Sequence, residues 1–464
     1  MAMKWTTSDL VLALEWAGHP RDRGRRLQQG LRDAVRTGRL GAGEVLPGSR
    51  DLAGALGVAR GTVVEAYEQL VAEGYLEART GSGTVVGARA DRHPMAQAPA
   101  RPVGRAHAID LRPGIPDLGL FPADDWAWAL GRAARGIGRT DLGYGNDLGN
   151  PFAREEVAAA LRRTRAAETT PAEVVLGSGF AQCVSLALGA VAAHGARTLA
   201  VEDPGDRSVD EIARSFGLRV VGIPVDEEGM NVDALVTTGA DAAIVTPAHQ
   251  APTGAVLSAR RRTALVAWAD RTGGWVIEDD YDSEFRYDRQ PVGALQGIAP
   301  DRILLIGSVS KTHAPAVRLG WVAVPRALLA AVTAGKEAAD RGSSALDQYA
   351  FGLLLESGRH DRHVRAVRAV YKRRRAALVS ALAQHAPGLR LTGLAAGFHG
   401  VLHLPVGVDE EDIIGWAAER SVSVRGLRGF SIDPPQQPAL VIGFGNADEQ
   451  RIADGVRVVG DITR

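Results

Sequence analysis

Gly307-Ser308-Val309-Ser310-Lys311-Thr312-His313-Ala314-Pro315-Ala316-Val317-Arg318-Leu319-Gly320-Trp321 is the stretch whose chemistry decides the reading of this chain. Arg302-Ile303-Leu304-Leu305-Ile306 precedes it, a short apolar run of the kind that forms a buried strand. The stretch therefore begins at a strand's end. It sets serines three and one residues before a lysine, and an arginine seven after it. Hydroxyls and backbone N–H groups hold a phosphate, and a guanidinium grips it with a fork of donors. A lysine in a sheltered, cation-lined pocket loses its proton and attacks a carbonyl. Ser-x-Lys alone would as readily be a surface turn.

The neighbouring segments decide against the surface turn. Gly273-Gly274-Trp275-Val276-Ile277-Glu278-Asp279-Asp280-Tyr281-Asp282 reads as a buried strand ending in carboxylates and a phenol. A carboxylate there pairs with a protonated pyridine nitrogen, and a phenol hydrogen-bonds the ring's own hydroxyl. Thr246-Pro247-Ala248-His249-Gln250-Ala251-Pro252-Thr253-Gly254 follows the apolar Ala242-Ala243-Ile244-Val245 as a further strand-end loop. Pyridoxal 5'-phosphate is the cofactor whose chemistry uses the amine, the phosphate cradle and the carboxylate together. Ser178, Gly179 and Phe180 open a helix over 181–192 directly after the strand Val174-Val175-Leu176, and a helix start offers unpaired N–H groups to a phosphate. Strands and helices alternate from Thr198 to Gly307, which predicts an α/β fold with a doubly wound, mostly parallel sheet and the ligand at the strands' carboxyl ends. Long helices over 327–386 then lead to a small α+β subdomain.

At 464 residues the chain exceeds one ordinary domain, and 54 basic against 54 acidic residues leave no net charge to favour nucleic acid or membrane overall. One cysteine, Cys183, excludes a disulfide framework, points to a reducing compartment and falls inside the helix over 181–192 as a core residue. Leu10-Val11-Leu12-Ala13-Leu14 is cut by Glu15, so no signal peptide or membrane span is read, and a cytoplasmic protein is expected. Eleven histidines show no metal-ligand spacing, so no metal is expected, and no nucleophile elbow supports a hydrolase.

The N-terminal part has a different texture. Residues 1–20 give no reading beyond one short helix carrying Trp5 and Trp16. Leu27, Leu31 and Val35 give 28–37 an amphipathic helix stopped by Gly38. Ser49 is an expected N-cap for a short helix that Gly57 ends, and a tight turn leads to a third helix over 61–73. Two short strands, 75–79 and 84–86, flank Thr80-Gly81-Ser82-Gly83 as a hairpin. Helix, helix-turn-helix and hairpin in this order make a winged helix-turn-helix over residues 20–87. Eleven arginines against eight acids between Arg21 and Arg89 give it a mild cationic excess. Residues 88–109, with Pro94, Pro99 and Pro102, read as a linker, and 110–464 form the second domain.

From Gly38-Arg39-Leu40 to Gly83-Thr84-Val85-Val86 the sequence resembles the GntR-type DNA-binding domain. Thr-Pro-x-His-Gln, Glu-Asp-Asp-Tyr-Asp and Ser-Lys-Thr with Arg-Leu-Gly resemble fold-type I aminotransferases in the spelling of the MocR/GabR-type transcriptional regulators. The resemblance implies Lys311 as the lysine of the internal aldimine, Asp279 at the pyridine nitrogen and Tyr281 at the ring hydroxyl. It places Arg318, Ser308 and Ser310 on the phosphate, His249 in the pocket wall, and Tyr144 as a phosphate ligand reaching a second copy in a homodimer. Arg50, Arg60, Thr62, Arg79 and Gly81 are the implied DNA contacts, on double-stranded DNA with paired half-sites.

Three residues depart from that pattern: Asp206 stands where a tyrosine is expected, Ala181 where a glutamine is, and Val441 where many aminotransferases carry the arginine for the substrate carboxylate. Arg207, Arg425 and Arg428 are the cations left to hold a substrate. The expected function is a regulator whose second domain senses a small amino compound, or the cofactor itself. The runner-up is a working aminotransferase with an appended DNA-binding domain, and Val441 argues against it.

Overall fold

A computed structural model describes residues 4–14, 22–79, 83–87, 108–287, 292–433 and 437–462. The chain divides into two compact units, residues 1–105 and 106–464.

In the first unit, α1 (Thr7–Ala13), α2 (Arg23–Arg36), α3 (Ser49–Leu56) and α4 (Arg60–Ala72) precede a hairpin of β1 (Leu76–Arg79) and β2 (Gly83–Val86). Leu27, Leu31 and Val35 bury the stripe of α2 against Leu52, Leu56, Val63 and Leu70, and Leu10 of α1 joins the same core. Trp5 lies ahead of α1 and donates to Glu44 Oε2 at 2.6 Å, while Trp16 lies outside the described residues. Ser49 is the first residue of α3 and not its cap: Gly48 holds the capping position, with no side-chain bond. Gly57 ends α3 in the left-handed region at φ 63°, where glycine is at least cost. Tyr67 anchors the turn by donating to Pro47 O at 3.0 Å. The hairpin pairs antiparallel from Leu76 opposite Val86 to Arg79 opposite Gly83. Its tip, with Gly81, lies outside the described residues, as does the stretch 88–107.

The second unit begins with β3 (Ile109–Asp110), α5 (Ala123–Gly136), α6 (Pro151–Arg165), β4 (Val174–Gly177), α7 (Phe180–Ala193), β5 (Thr198–Asp203), α8 (Ser208–Ser215), β6 (Arg219–Asp226) and β7 (Gly229–Met230). It continues with α9 (Val232–Thr237), β8 (Ala242–Val245), α10 (Ala259–Thr272), β9 (Trp275–Asp280), β10 (Ile303–Ser308) and β11 (Gly320–Ala323). The sheet order is β4-β11-β10-β9-β8-β5-β6-β7. The run β10-β9-β8-β5-β6 is parallel, and β11 and β7 run against their neighbours. The mostly parallel expectation holds. Parallel strands need both faces covered: α7 and Leu328 and Val332 pack on one face, and Ala129, Val157, Leu161 and Phe351 on the other.

The helical stretch expected over 327–386 is three helices, α11 (Arg326–Asp340), α12 (Ala345–Glu356) and α13 (Arg359–His385). Residues with positive φ, Arg341 and Gly342 and then Gly358, break it. The small subdomain adds β12 (Arg390–Thr392), β13 (His399–His403), α14 (Glu410–Glu419), β14 (Val422–Ser423), β15 (Arg425–Gly426), β16 (Ala439–Gly443) and α15 (Glu449–Ile462). Its sheet β12-β13-β16-β15 shares a core with the C-terminal half of α13 and with α15. Strand β3, the first element after the described gap, pairs with β14 of this subdomain and with no strand of the large sheet.

Helix α4 starts after Ala59, whose extended φ −65°, ψ 142° suits a cap that its methyl group cannot supply. Ala59→Ser is expected to stabilise this helix start by about 1 kcal/mol. Slower amide exchange in the first turn of α4 of the full-length protein would register it; unchanged exchange would mean the terminus is satisfied otherwise.

Candidate functional site

The carboxyl ends of β4, β8, β9 and β10 bring the predicted pocket together. Lys311 lies three residues past β10, and its Nζ donates to Gly114 O at 2.6 Å. Burial holds this amine below the ordinary lysine range, against the opposing pull of Asp282, Asp279 and Asp206. Asp279 is 9 % exposed, and its Oδ1 has no hydrogen-bond partner among the described residues. Burial first, then the charges of Asp206, Asp280 and Asp282, push its carboxyl well above the usual range. A buried acceptor in that condition waits for a donor or takes a proton.

Tyr281 and His249 stand together: His249 Nδ1 is 3.0 Å from the Tyr281 hydroxyl and 2.8 Å from Asp282 Oδ2. Burial would lower the imidazole's pKa, and the Asp282 carboxylate outweighs it, so the ring holds its proton to higher pH. The phenol is raised by burial and then by Asp282 and Asp279. Folding also brings His399 close: ligand atoms of His249, Asp282 and His399 lie within 4.8 Å of one another. His249 engages Asp282 through Nδ1 and faces Gly393 O at 3.2 Å through Nε2, while His399 Nε2 has no hydrogen-bond partner among the described residues.

The phosphate cradle has an open floor. Gly179 precedes α7 at φ 85°, and a Cβ there would come within 3.5 Å of the Arg318 guanidinium. Ser308 is buried and its Oγ faces Ser310 N at 3.4 Å. Ser178 Oγ pairs with Ser343 Oγ at 3.0 Å, and Ser178 N donates to Gln182 Oε1 at 2.7 Å. Beneath them the fully buried Lys336 donates to Asp340 at 2.6 Å and to Ser343 at 2.9 Å. Lys336, Gln182 and Ser343 brace this loop and carry no sequence signal, since they converge only in space.

These residues fit pyridoxal 5'-phosphate. The buried Asp279 oxygen lacks a donor among the described residues, the start of α7 lies beside the Arg318 guanidinium, and the Lys311 amine has reduced basicity.

The remaining predicted residues are placed as follows. Tyr144 is 90 % exposed on a loop of its own chain. Arg207 immediately precedes α8 and is ion-paired with Asp210. Arg425 lies opposite the buried Val441 in the β15–β16 register and stacks on Phe430 at 4.4 Å. Arg428 is exposed, with its backbone N–H on Glu410 at 3.0 Å. The loops that carry these arginines meet: Gly205 N donates to Phe430 O at 2.8 Å, and Ile432 N to Asp203 Oδ1 at 2.9 Å. Asp206, which stands for the expected tyrosine, accepts from Ser208 N and Oγ and is close enough to act on Asp279 and Lys311. In the first unit, Arg50 lies in the first turn of α3 and Arg60 begins α4; both are exposed. Thr62 is half-buried, and Arg79 on β1 pairs with Glu77 at 3.1 Å. Cys183 is core: its thiol is fully buried, and burial raises its pKa to about 12. No helix among the described residues is long and apolar enough to cross a membrane.

Comparison with known proteins gives matches over both units. The family described as bacterial regulatory proteins, gntR family, matches residues 24–86, and aminotransferase class I and II matches residues 106–433. The chain is similar to the HTH-type pyridoxine biosynthesis transcriptional regulator PdxR of Corynebacterium glutamicum, 32 % identical over 96 % of each chain. It is also similar to the probable rhizopine catabolism regulatory protein MocR of Rhizobium meliloti, 30 % identical over 93 % of this chain and 92 % of that one. The HTH-type transcriptional regulator TauR of Rhodobacter capsulatus is 31 % identical over 89 % and 90 %. Among solved structures, an archaeal alanine:glyoxylate aminotransferase matches with TM-score 0.71 and 25 % identity over 76 % of this chain and 90 % of that one. LysN, the alpha-aminoadipate aminotransferase of Thermus thermophilus complexed with N-(5'-phosphopyridoxyl)-L-leucine, matches with TM-score 0.68 and 25 % identity over 77 % and 92 %.

Glu202 supports the His249 loop from beneath: Thr246 Oγ donates to its Oε2 at 2.5 Å and Gln250 Nε2 at 3.2 Å. Burial raises its carboxyl from 4.5 to about 7, with the Thr246 and Gln250 bonds opposing. A carboxyl raised on folding binds more protons in the native state, so stability falls as pH rises from the unfolded value through about 7. Glu202→Gln keeps the accepting oxygen and removes the ionisation. It is expected to raise stability at pH 8 relative to pH 5 by roughly 3 kcal/mol compared with the parent. Thermal unfolding at the two pH values measures it, and equal shifts at both would contradict the assignment.

Proposed function

The chain belongs to the GntR-type transcriptional regulators that carry an aminotransferase class I and II domain, the MocR type, and we propose that its lysine pocket controls its DNA binding. The observation that carries this reading is the presence, in one chain, of a winged helix-turn-helix and a pocket where an amine, an anion cradle and an undonated carboxylate converge. Lys311, Asp279, Tyr281, Arg318, Ser308 and Ser310, with Ser178, Gly179 and Phe180, would hold pyridoxal 5'-phosphate. When bound, that group supplies an electrophilic carbon for amines and a ring that accepts electrons.

The chain's own residues do the rest. The Lys311 amine, short of its usual basicity, is the nucleophile of the pocket. Asp279 offers Oδ1 as acceptor to a ring N–H. The Asp282–His249 pair fixes the Tyr281 hydroxyl, and Asp206 adds a negative charge beside the amine. The effector is a small amino compound, and the abutting loops of Arg207 and of Arg425 to Arg428 supply cations for its anionic end. Its binding alters DNA affinity only so far as it favours one of two conformations of the protein. Arg50, Arg60, Thr62 and Arg79 face double-stranded DNA, and a homodimer, with Tyr144 reaching the second copy, reads paired half-sites. Turnover as an aminotransferase is disfavoured by Val441, a fully buried apolar residue where a substrate-gripping cation is needed.

Wild-type protein mixed with pyridoxal phosphate is expected to turn yellow, and Lys311→Ala to stay without that absorbance. Arg60→Ala is expected to keep the colour, weaken binding to every DNA sequence alike and lower the salt slope of binding by about 1. Unchanged colour in Lys311→Ala would sink the pocket assignment. Keto acid accumulating over many turnovers would restore the enzyme reading.

A further inference from the structure

Asp279 and Asp280 are consecutive in β9, so they project to opposite faces of the sheet. Asp279 faces the lysine. On the side of Asp280 there is a separate cavity of about 340 Å³ between α6, α12 and the N-terminal half of α13. We propose that this second pocket binds a small carboxylate with an apolar ring or branched body.

The apolar part of the cavity is aromatic. The Trp321 and Phe351 rings stack 5.9 Å apart at 15°, and Phe351 stands edge-on to His360 at 5.5 Å. Val157, Leu161, Leu355 and Val364 complete that lining. The volume is about eleven times the share of one liquid water, the scale of an aryl-propionate.

The polar part is built and incomplete. Ser283 lines the cavity at 4 % exposure, and its Oγ has no hydrogen-bond partner among the described residues. Of the cations, Arg165 is matched to Asp280 at 2.6 Å and Arg163 to Asp361 at 2.7 Å. Arg365 and Arg368 have no carboxylate partner among the described residues, and Arg368 uses only Nε, on the Glu284 backbone oxygen at 2.6 Å. Two spare guanidiniums and a free hydroxyl ask for an anion.

A monoanion suits the site better than a phosphate because Glu284 also faces it. Burial, then Asp280, raise this carboxyl to about 7, with Arg165 opposing and Asp282 adding a little. His360, Arg365 and Arg368 of α13 line the same space. Below that pH the protonated Glu284 donates to a bound carboxylate; above it, two negative charges meet and binding weakens.

Titration calorimetry on the full-length protein with 3-phenylpropionate, and with 3-phenylpropanamide as its neutral counterpart, tests the proposal. The acid is expected to bind at one site per chain, at least about tenfold tighter than the amide, through a charge-assisted pair. Affinity should fall between pH 6 and pH 8, and Glu284→Gln should flatten that dependence. Arg365→Gln, at an exposed position, should cost about tenfold. Ala160→Trp fills the cavity and should abolish binding, while Lys311→Ala should leave it intact. No binding by the wild type, or binding that survives both Arg365→Gln and Ala160→Trp, overturns the proposal. Loss in Lys311→Ala would assign the acid to the cofactor pocket and overturns it equally.

Discussion

Crowded carboxylates at the end of one buried strand set the terms for the second unit. Glu278, Asp279, Asp280 and Asp282 lie within five residues, and each has to be neutralised or matched. Glu278 accepts from Leu295 N and Gln296 N at 3.1 and 3.0 Å. Asp280 takes the Arg165 fork, and Asp282 takes His249. Of these four, Asp279 alone keeps an oxygen with no donor among the described residues. Three of the four acids are matched within the protein, and the fourth is left with an oxygen open to a donor from outside it.

That open oxygen belongs to the aminotransferase-like half of the family assignment. The aminotransferase-like fold supplies a lysine, a bare helix start and an unmatched acid at the carboxyl edge of a parallel sheet, where such folds bind ligands. What it lacks is equally specific. Val441 is packed away, and Arg425, its cross-strand partner, stacks on Phe430. Arg207 is tied to Asp210. The described contacts thus leave more open partners on the side of Lys311 and Asp279 than on the side of Val441.

Much of this was legible in one dimension because it is local. The helix-turn-helix, the hairpin, the alternation of strands and helices and the strand-end motifs depend on neighbours a few residues apart, and all appear within a few residues of their expected bounds. A serine before an apolar stripe is the usual cap, which is what the sequence predicts for Ser49, and only backbone geometry shows that Gly48 takes that place. The Gly114 carbonyl that receives Lys311 is 197 residues away in the chain, and Ser178 meets Ser343 across 165. No periodicity reports such pairs. Asp282 stood in plain view within Glu-Asp-Asp-Tyr-Asp, and its role needed the fold to bring His249 beside it.

The pairing of β3 with β14 has a mechanical side. Ile109 lies opposite Val422 and Asp110 opposite Ser423, so the first described strand of the second unit belongs to the small subdomain and not to the large sheet. That same subdomain presents the Gly393 carbonyl to His249 and the Gly397 backbone to Asp282. Strand β3 and the wall of the lysine pocket thus share one small sheet-and-helix body, so a substitution that loosens β14 would be felt at both.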